Sequence, residues 1–147
     1  MPVLRHLLRH YEVDVALISE THYHPSHSSS IPGYHTLRLD TVSETAKRGL
    51  LVAVRKSLVF QPLPSYDTQS FQSLGVEIQL ASKPLRAFAI YRPCNSSLDV
   101  EEVRRLFSGS AQTLAAGDWN AHHPAWGCHN TCVTGRRLYR DAERHGY

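Results

Sequence analysis

The sequence predicts an α/β (α+β) fold in which helices cover mixed β-sheets in layers. Three observations support this prediction. Short stretches with β-strand character outnumber helical ones, and candidate hairpins alternate with helical connections, a pattern typical of layered sandwiches. In addition, 147 residues suit a single domain with one hydrophobic core.

The N-terminal part of the chain has the pattern of a helix followed by two strands. Apolar residues recur at helical spacing over residues 2–11, which predicts an amphipathic helix. Residues 13–18 are mainly β-branched and apolar, which predicts a strand buried on both faces. The Ser-, His- and Pro-rich residues 22–33 predict a loop, and residues 34–39 alternate like a strand.

The middle of the chain has the pattern of paired strands. Residues 50–54 predict a strand, and residues 58–63 predict its hairpin partner. A second hairpin is predicted for residues 74–80 and 85–91, because the turn-like ASKP at 81–84 separates two apolar stretches.

A helix and a short strand follow the second hairpin. Apolar spacing predicts a helix over residues 98–107, with Ser96 followed by Asp99 as an N-cap signature. The small residues at 113–116 then predict a short strand that leads into a polar loop.

The C-terminal part predicts one further helix. It covers residues 135–145, with Thr134 as its N-cap, and Gly146 ends it. Leu138 and Ala142 are expected to face the core.

Charge and cysteine content limit the classes of protein. The formal charge of +3 is scattered along the chain, so there is no basic tail to bind nucleic acid. Three cysteines are too few for a disulfide framework, which favours a reducing compartment. Residues 1–14 are interrupted by Arg and His, unlike a signal peptide or a membrane span. We therefore expect a soluble intracellular protein.

Three polar clusters lie at the ends of predicted strands. They contain Glu20, Tyr91 with Arg92, and Asp118 with Asn120. Strand ends in layered α/β proteins converge on one rim, which is the usual place of binding and catalysis. The coincidence of three such clusters predicts a functional site.

Each cluster also has a purely structural interpretation. Glu20 can cap a helix or lie in a solvated loop, Tyr91 can be a rim aromatic, and Asp118 with Asn120 can form a turn. Together, however, the carboxylates suit Mg²⁺. Asp118 and Asn120 can then orient a water and stabilise charge on phosphorus.

Histidines and cysteines near the C-terminus offer a competing zinc site. Structural zinc favours cysteine pairs of close spacing with a second pair of Cys or His, and this chemistry could involve His122, His123, Cys128, His129 and Cys132. The cluster of His22, His24 and His27 could also bind a metal, although a solvated loop explains it better because Ser and Pro surround it.

Three segments resemble a known family. SET at 19–21, YRPC at 91–94 and GDWNAHHPAWG at 117–127 resemble the endonuclease/exonuclease/phosphatase family, and in particular the endonuclease domain of Jockey-like non-LTR (LINE-type) retrotransposons. VDVALISET, RGLLVAV and GRRL extend the resemblance over nearly the whole chain. The resemblance implies a four-layered α/β/β/α sandwich of the DNase I-like kind.

The resemblance also implies roles for single residues in Mg²⁺-dependent hydrolysis of a DNA phosphodiester, with Mn²⁺ as a possible substitute. Glu20 would bind the metal, and Tyr91 would donate its hydroxyl to the scissile phosphate. Asp118 would position the water and Asn120 would steady the transition-state oxygen. The remaining two assignments are a supporting or substrate-contacting role near the site floor for His122 and a contact with the DNA backbone for Arg92.

The sequence also departs from the family pattern. The family's first strand with its metal-binding Asn and its C-terminal strands with Ser-Asp-His do not occur in residues 1–147. We therefore expect a domain truncated at both ends and nearly inactive by itself, since general acid–base help is worth about 10²- to 10⁴-fold. Trp119 and Cys94 stand where the family usually has Phe and Pro.

The resemblance implies partners as well. They are DNA, which the domain nicks to prime reverse transcription, and the reverse transcriptase of the same polyprotein. We expect no membrane partner, and a nuclear site of action. The alternatives are an inactive remnant, a fragment that only binds nucleic acid, and the zinc module.

Overall fold

The computed structural model describes residues 2–24, 26–41 and 48–147, except for the side chain of Pro2. Three helices and eight strands lie within these ranges, together with a 3₁₀ turn at Pro124–Trp126. The helices are α1 (Pro2–His10), α2 (Val100–Leu106) and α3 (Val133–His145). The strands are β1 (Val15–Ser19), β2 (Tyr34–Asp40), β3 (Gly49–Arg55), β4 (Phe60–Pro62), β5 (Tyr66–Asp67), β6 (Gln72–Ile78), β7 (Leu85–Tyr91) and β8 (Gln112–Asp118).

The strands form two sheets. In the first sheet, β3 lies between β1 and β2 and is antiparallel to both. The second sheet has the order β4-β6-β7-β8, and β5 also pairs with β6. β8 is parallel to β7, while the remaining pairs of this sheet are antiparallel. The predicted hairpin of residues 74–80 and 85–91 is confirmed as β6 and β7.

The two sheets pack face to face over the main core. Alternate residues of β3, β6 and β7 point into this layer, as the two-residue period of a strand requires. They are all buried: Leu50, Val52, Val54, Leu74, Val76, Ile78, Ala87, Ala89 and Tyr91. Tyr91 is therefore on the inner face of the second sheet and points towards the first.

Helices cover the outer faces of both sheets. Leu8 of α1 packs with Leu51 and Ala53 of β3. On the other side, α2 contributes Val103 and Leu106 to a cluster that covers β7. The order of layers is thus α1, first sheet, second sheet, α2 with α3, which confirms the α/β/β/α sandwich.

The expected pairing of residues 58–63 is wrong. Both edges of β3 are already occupied by β1 and β2, so no edge remains for this segment. β4 instead joins the second sheet, where Phe60 lies opposite Ile78 of β6. The chain crosses between the sheets at this point, with Phe60 packed against the core that both share.

The prediction that residues 13–18 form a strand buried on both faces is wrong. β3, not β1, is the strand that is buried on both faces. All residues of β1 are partly exposed because the strand lies at the edge of its sheet. β3 occupies the centre, and its residues from Gly49 to Val54 are buried.

The helix caps also differ from expectation. Asp99, rather than Ser96, caps α2 by accepting a hydrogen bond from the Glu101 N–H. Cys132, rather than Thr134, caps α3, and its Sγ accepts from the N–H of Gly135 at 3.3 Å. Gly146 ends α3 in the left-handed conformation as predicted, with φ of 74°.

Within the described ranges, no helix has both the length and the apolar content that crossing a bilayer requires.

Candidate active site

The ends of β7 and β8 bring two of the predicted clusters together. The strands are parallel, and their last paired residues are Tyr91 and Asp118. The Arg92 N–H donates to the Asp118 carbonyl at 2.8 Å, which prolongs the pairing by one residue. The phenol and the carboxylate therefore leave the same end of the second sheet.

Glu20 reaches the site from the first sheet. It follows the last β1 pair, Ser19 with Leu50, and its φ is +54°. The Thr21 N–H donates to the Gly49 carbonyl, and a side chain at Gly49 would overlap the Thr21 hydroxyl. This close approach explains why a glycine follows Arg48. A positive φ is costly for a non-glycine residue and is often found at functional positions.

The pKa of Tyr91 shows that the three clusters share one electrostatic environment. Burial of Tyr91 raises the pKa of its phenol above the usual value, and the charges of Glu20 and Asp118 raise it further. Both carboxylates therefore lie near the same ring, although they come from different sheets. The phenol stays protonated at neutral pH, as a hydrogen-bond donor must.

Asn120 holds the carboxylate of Asp118. Its backbone N–H donates to Asp118 Oδ1 at 2.9 Å, and its Nδ2 donates to Oδ2 at 3.1 Å. Nδ2 also donates to the Arg92 carbonyl at 2.8 Å. Both amide hydrogens are thus used within the protein, and the implied contact of Asn120 with a substrate oxygen stays a prediction. Like Glu20, Asn120 has a positive φ, of 45°.

Arg92 is a buried residue, so the expected contact with the DNA backbone is wrong. Only 2% of its surface is exposed. Its guanidinium donates to the carbonyls of Asn120 at 3.2 Å and Trp119 at 3.5 Å, and also to the Ser96 carbonyl. Arg92 therefore fixes the loop that carries Asp118, because its donors point at the backbone of that loop.

His122 lies on the wall of a cleft of about 430 Å³. The lining also includes Asp118, Asn120 and Trp126, whose Nε1 donates to the Ala121 carbonyl at 2.7 Å. The His122 side chain is exposed, so it belongs to the rim rather than to the floor expected from the sequence. Its proposed contact with substrate stays a prediction.

The structure uses Cys132 as a helix cap, not as a metal ligand. Its Sγ accepts from the backbone N–H groups of His122 and Gly135. A Cβ at Gly135 would overlap the His122 carbonyl, so this glycine lets α3 pack directly on the loop. Across residues 2–24, 26–41 and 48–147, no three His, Cys, Asp or Glu side chains converge as a metal site. The zinc interpretation therefore has no structural support there.

Sequence reasoning missed Arg48. Its Cζ lies 5.9 Å from the centroid of the Tyr91 ring, and its charge lowers the pKa of that phenol, against the effect of the two carboxylates. No local sequence signal pointed to it, because its position depends on the pairing of β1 with β3. Because these strands are antiparallel, the residues after Ser19 meet those before Leu50.

The donor set fits a hard divalent cation. Mg²⁺ is commonly held by one or two carboxylates together with waters and substrate phosphate. Glu20 and Asp118 supply two carboxylates around one phenol. Glu20 is exposed, so a metal and a large substrate can both reach it.

The fold and the candidate site together define a class of protein. The fold is a four-layered α/β/β/α sandwich, and the candidate site, with two carboxylates, lies between the ends of its two sheets. The chain belongs to the endonuclease/exonuclease/phosphatase family, whose model matches residues 3–146. Members of this family are generally metal-dependent.

Two similar curated proteins are from fruit flies. The RNA-directed DNA polymerase from mobile element jockey of Drosophila funebris is 31% identical over 136 residues, which is 92% of this chain and 15% of that protein. A probable RNA-directed DNA polymerase from transposon X-element of Drosophila melanogaster is 29% identical over 86% of this chain and 14% of its own length. The chain thus spans about a seventh of these relatives.

A solved structure has the same fold. The endonuclease domain of TRAS1, a telomere-specific non-LTR retrotransposon, aligns with a TM-score of 0.74 at 18% identity. The alignment covers 96% of this chain and 62% of the TRAS1 domain. At this identity the likeness shows the fold, and it agrees with the DNase I-like sandwich implied by the sequence.

Proposed function

We propose that the chain is the endonuclease unit of a non-LTR retrotransposon protein, and that it hydrolyses a phosphodiester bond in DNA to produce a nick. One observation carries this proposal: the carboxylates of Glu20, from the first sheet, and Asp118, from the second, both raise the pKa of the Tyr91 phenol. The names of the relatives support the retrotransposon origin and the fused polymerase. Its target would then be chromosomal DNA in the nucleus.

The metal proposed for this site is Mg²⁺, with Mn²⁺ as a substitute, bound through Glu20. When bound, it would stabilise negative charge on the phosphate and lower the pKa of a water. The rest of the chemistry belongs to the side chains around it.

In this proposal Asp118 orients the attacking water. Its carboxylate is held by two hydrogen bonds from Asn120, at 2.9 and 3.1 Å, so it does not rotate freely. Arg92 fixes the carbonyls of the same loop. A preoriented acceptor reduces the reorganisation that the reaction requires.

In this proposal Tyr91 donates a hydrogen bond to a phosphate oxygen. Its hydroxyl donates to no residue within 2–24, 26–41 or 48–147, and its raised pKa keeps the proton in place. Negative charge that develops on the phosphate strengthens such a bond, so the interaction favours the transition state.

Nicking of supercoiled plasmid in Mg²⁺ tests the proposal, because one break per plasmid is detected and slow hydrolysis is therefore measurable. We expect the wild-type protein to nick slowly, in keeping with the low activity expected from its sequence, Asp118→Ala to reduce the rate by at least about 10²-fold, and EDTA to abolish it. Glu12→Gln is the matched control, because Glu12 is an exposed carboxylate at the other end of the first sheet.

Equal nicking by wild type and Asp118→Ala would assign the activity to a contaminant and overturn the proposal. DNA binding without any nicking by the wild type would instead favour the second candidate, a fragment that only binds nucleic acid.

A further inference from the structure

We propose that Arg48 is the phosphate-binding cation of this site, and that it contacts a non-bridging oxygen of the DNA phosphodiester beside Tyr91. This inference rests on the proposed function, since it assigns the substrate contact of the same site. It replaces the contact first expected from Arg92.

The geometry places Arg48 at the mouth of the site. Its Cζ lies 5.9 Å from the centroid of the Tyr91 ring, within reach of a cation–π interaction. Tyr91 is buried at 9% exposure, whereas Arg48 is exposed. The guanidinium therefore lies between the buried ring and solvent, where a phosphate would approach.

Among the residues that the structure describes, the guanidinium donors of Arg48 have no hydrogen-bond acceptor. Arg48 makes no hydrogen bond or ion pair with any described residue; it lies over the Tyr91 ring, and its charge lowers the pKa of the Tyr91 phenol. Other arginines of the two sheets already bind carboxylates or carbonyls of the protein. Arg38 pairs with Asp40, Arg55 with Asp14 and Arg86 with Glu77, while Arg92 donates to backbone carbonyls.

The charges around Tyr91 favour a cation at the position of Arg48. Glu20 and Asp118 both raise the pKa of Tyr91, while the charge of Arg48 lowers it. A phosphodiester that approaches Tyr91 meets the field of two carboxylates, which repels it. A guanidinium at the same place offsets that repulsion, and its planar fork matches two phosphate oxygens.

The neighbouring backbone keeps Arg48 in position. Thr21 N–H donates to the Gly49 carbonyl at 3.1 Å, and β3 begins at Gly49. The side chain therefore starts from a paired strand end, opposite the segment that carries Glu20. Glu20 and Arg48 together form the wall of the site that belongs to the first sheet.

Salt dependence of DNA binding tests the inference without requiring hydrolysis. The probe is a short fluorescein-labelled duplex in EDTA, and its anisotropy is measured over a series of salt concentrations. We expect Arg48→Gln to weaken binding by about 10-fold and to reduce the log–log salt slope by about 0.9, the value for one phosphate contact. Arg48→Lys should keep the slope, because it keeps the charge.

Arg9→Gln is the matched control, because Arg9 is exposed and lies by Tyr34 and Arg55, at the opposite end of the first sheet. It should leave the slope unchanged. Thermal unfolding of each variant separates lost binding from lost folding. An unchanged slope in folded Arg48→Gln, or no duplex binding by wild type, would overturn the inference.

The plasmid assay distinguishes this failure from failure of the proposed function. Nicking that depends on Asp118 together with an unchanged slope in Arg48→Gln would reject only the role of Arg48. A reduced slope without any nicking would reject hydrolysis and retain the phosphate contact.

Discussion

Tyr91 and Asp118 lie side by side as the last paired residues of the parallel strands β7 and β8. Six pairs precede them in the same register, so their spacing is set by the backbone hydrogen bonds of the whole ladder. A shift of one residue would turn the Asp118 side chain to the other face of the sheet. The site therefore depends on residues that take no part in its chemistry.

We predict that Tyr91→Phe lowers the nicking rate of the wild-type protein by about 10²-fold, the usual effect of removing one transition-state donor. The ring and its packing are retained, so KM for DNA should change little. Rates at saturating and limiting plasmid separate the two quantities. Tyr66→Phe removes an exposed hydroxyl and is the control. A large rise in KM without loss of kcat would contradict the role of Tyr91 as donor.

We predict that Gly117→Ala destabilises the protein by about 3 kcal/mol or more. Gly117 has φ of +147°, and a Cβ there would overlap the carbonyl oxygen of Ile90 in β7. The clash lies one residue before Asp118, so it also separates the strand ends. Denaturant unfolding measures the loss.

Gly127→Ala is the control for this glycine. Gly127 has φ of +83°, but no atom lies within 4 Å of the added Cβ. Only backbone strain remains, and we expect a cost of about 1 to 2 kcal/mol. Equal losses in the two variants would show that the contact with Ile90 is not decisive.

We predict that Arg92→Lys destabilises the protein by about 2 to 3 kcal/mol. The compact lysine ammonium cannot span the separate Asn120 and Ser96 carbonyls that the planar guanidinium of Arg92 reaches. Urea unfolding checks the value. Arg105→Lys, an exposed position in α2, should have almost no effect. Unchanged stability in Arg92→Lys would mean that the loop around Asn120 is held by other contacts.

We predict that Asp141 makes the stability of the fold sensitive to acid. The Arg104 guanidinium holds the pKa of the buried Asp141 carboxyl below its usual 3.8, with a further hydrogen bond from Tyr147 at 2.5 Å. A lowered folded pKa stabilises the protein above the unfolded pKa, and this stabilisation is lost as pH falls through the folded value.

The melting temperature as a function of pH measures this effect. Wild type should lose stability as pH falls below about 4. Asp141→Asn should melt lower at neutral pH and show a shallower acid slope. Glu101→Gln removes an exposed carboxylate that bonds to the same Arg104, and it should retain the wild-type slope. A wild-type acid slope in Asp141→Asn would assign the acid sensitivity to other groups.

Local sequence patterns predicted most elements, because period and end signals act over a few residues. Alternation predicted β2, the turn-like residues 81–84 predicted the β6–β7 hairpin, and helical spacing predicted α1. Pairing between distant strands was harder to predict. Residues 58–63 have the pattern of a strand, but nothing local shows that both edges of β3 are occupied.

The candidate site divides in the same way. Residue types and strand ends indicated Glu20, Tyr91 and Asp118 as candidates, because a carboxylate or a phenol at the end of an apolar strand can be recognised in the sequence. Arg92 and Arg48 were not distinguishable from the sequence, since both are arginines beside a strand end. Burial decided between them, with Arg92 at 2% exposure and Arg48 exposed.

The sequence by itself determined the layered fold, the family and the polar groups of the candidate site, since these follow from pattern and motif. The tertiary structure alone decided which groups meet. It placed Glu20 of one sheet and Asp118 of the other around Tyr91, and it set Arg48 over the ring. The physical reason is that charge and burial act through space, and distances through space depend on strand register and sheet packing.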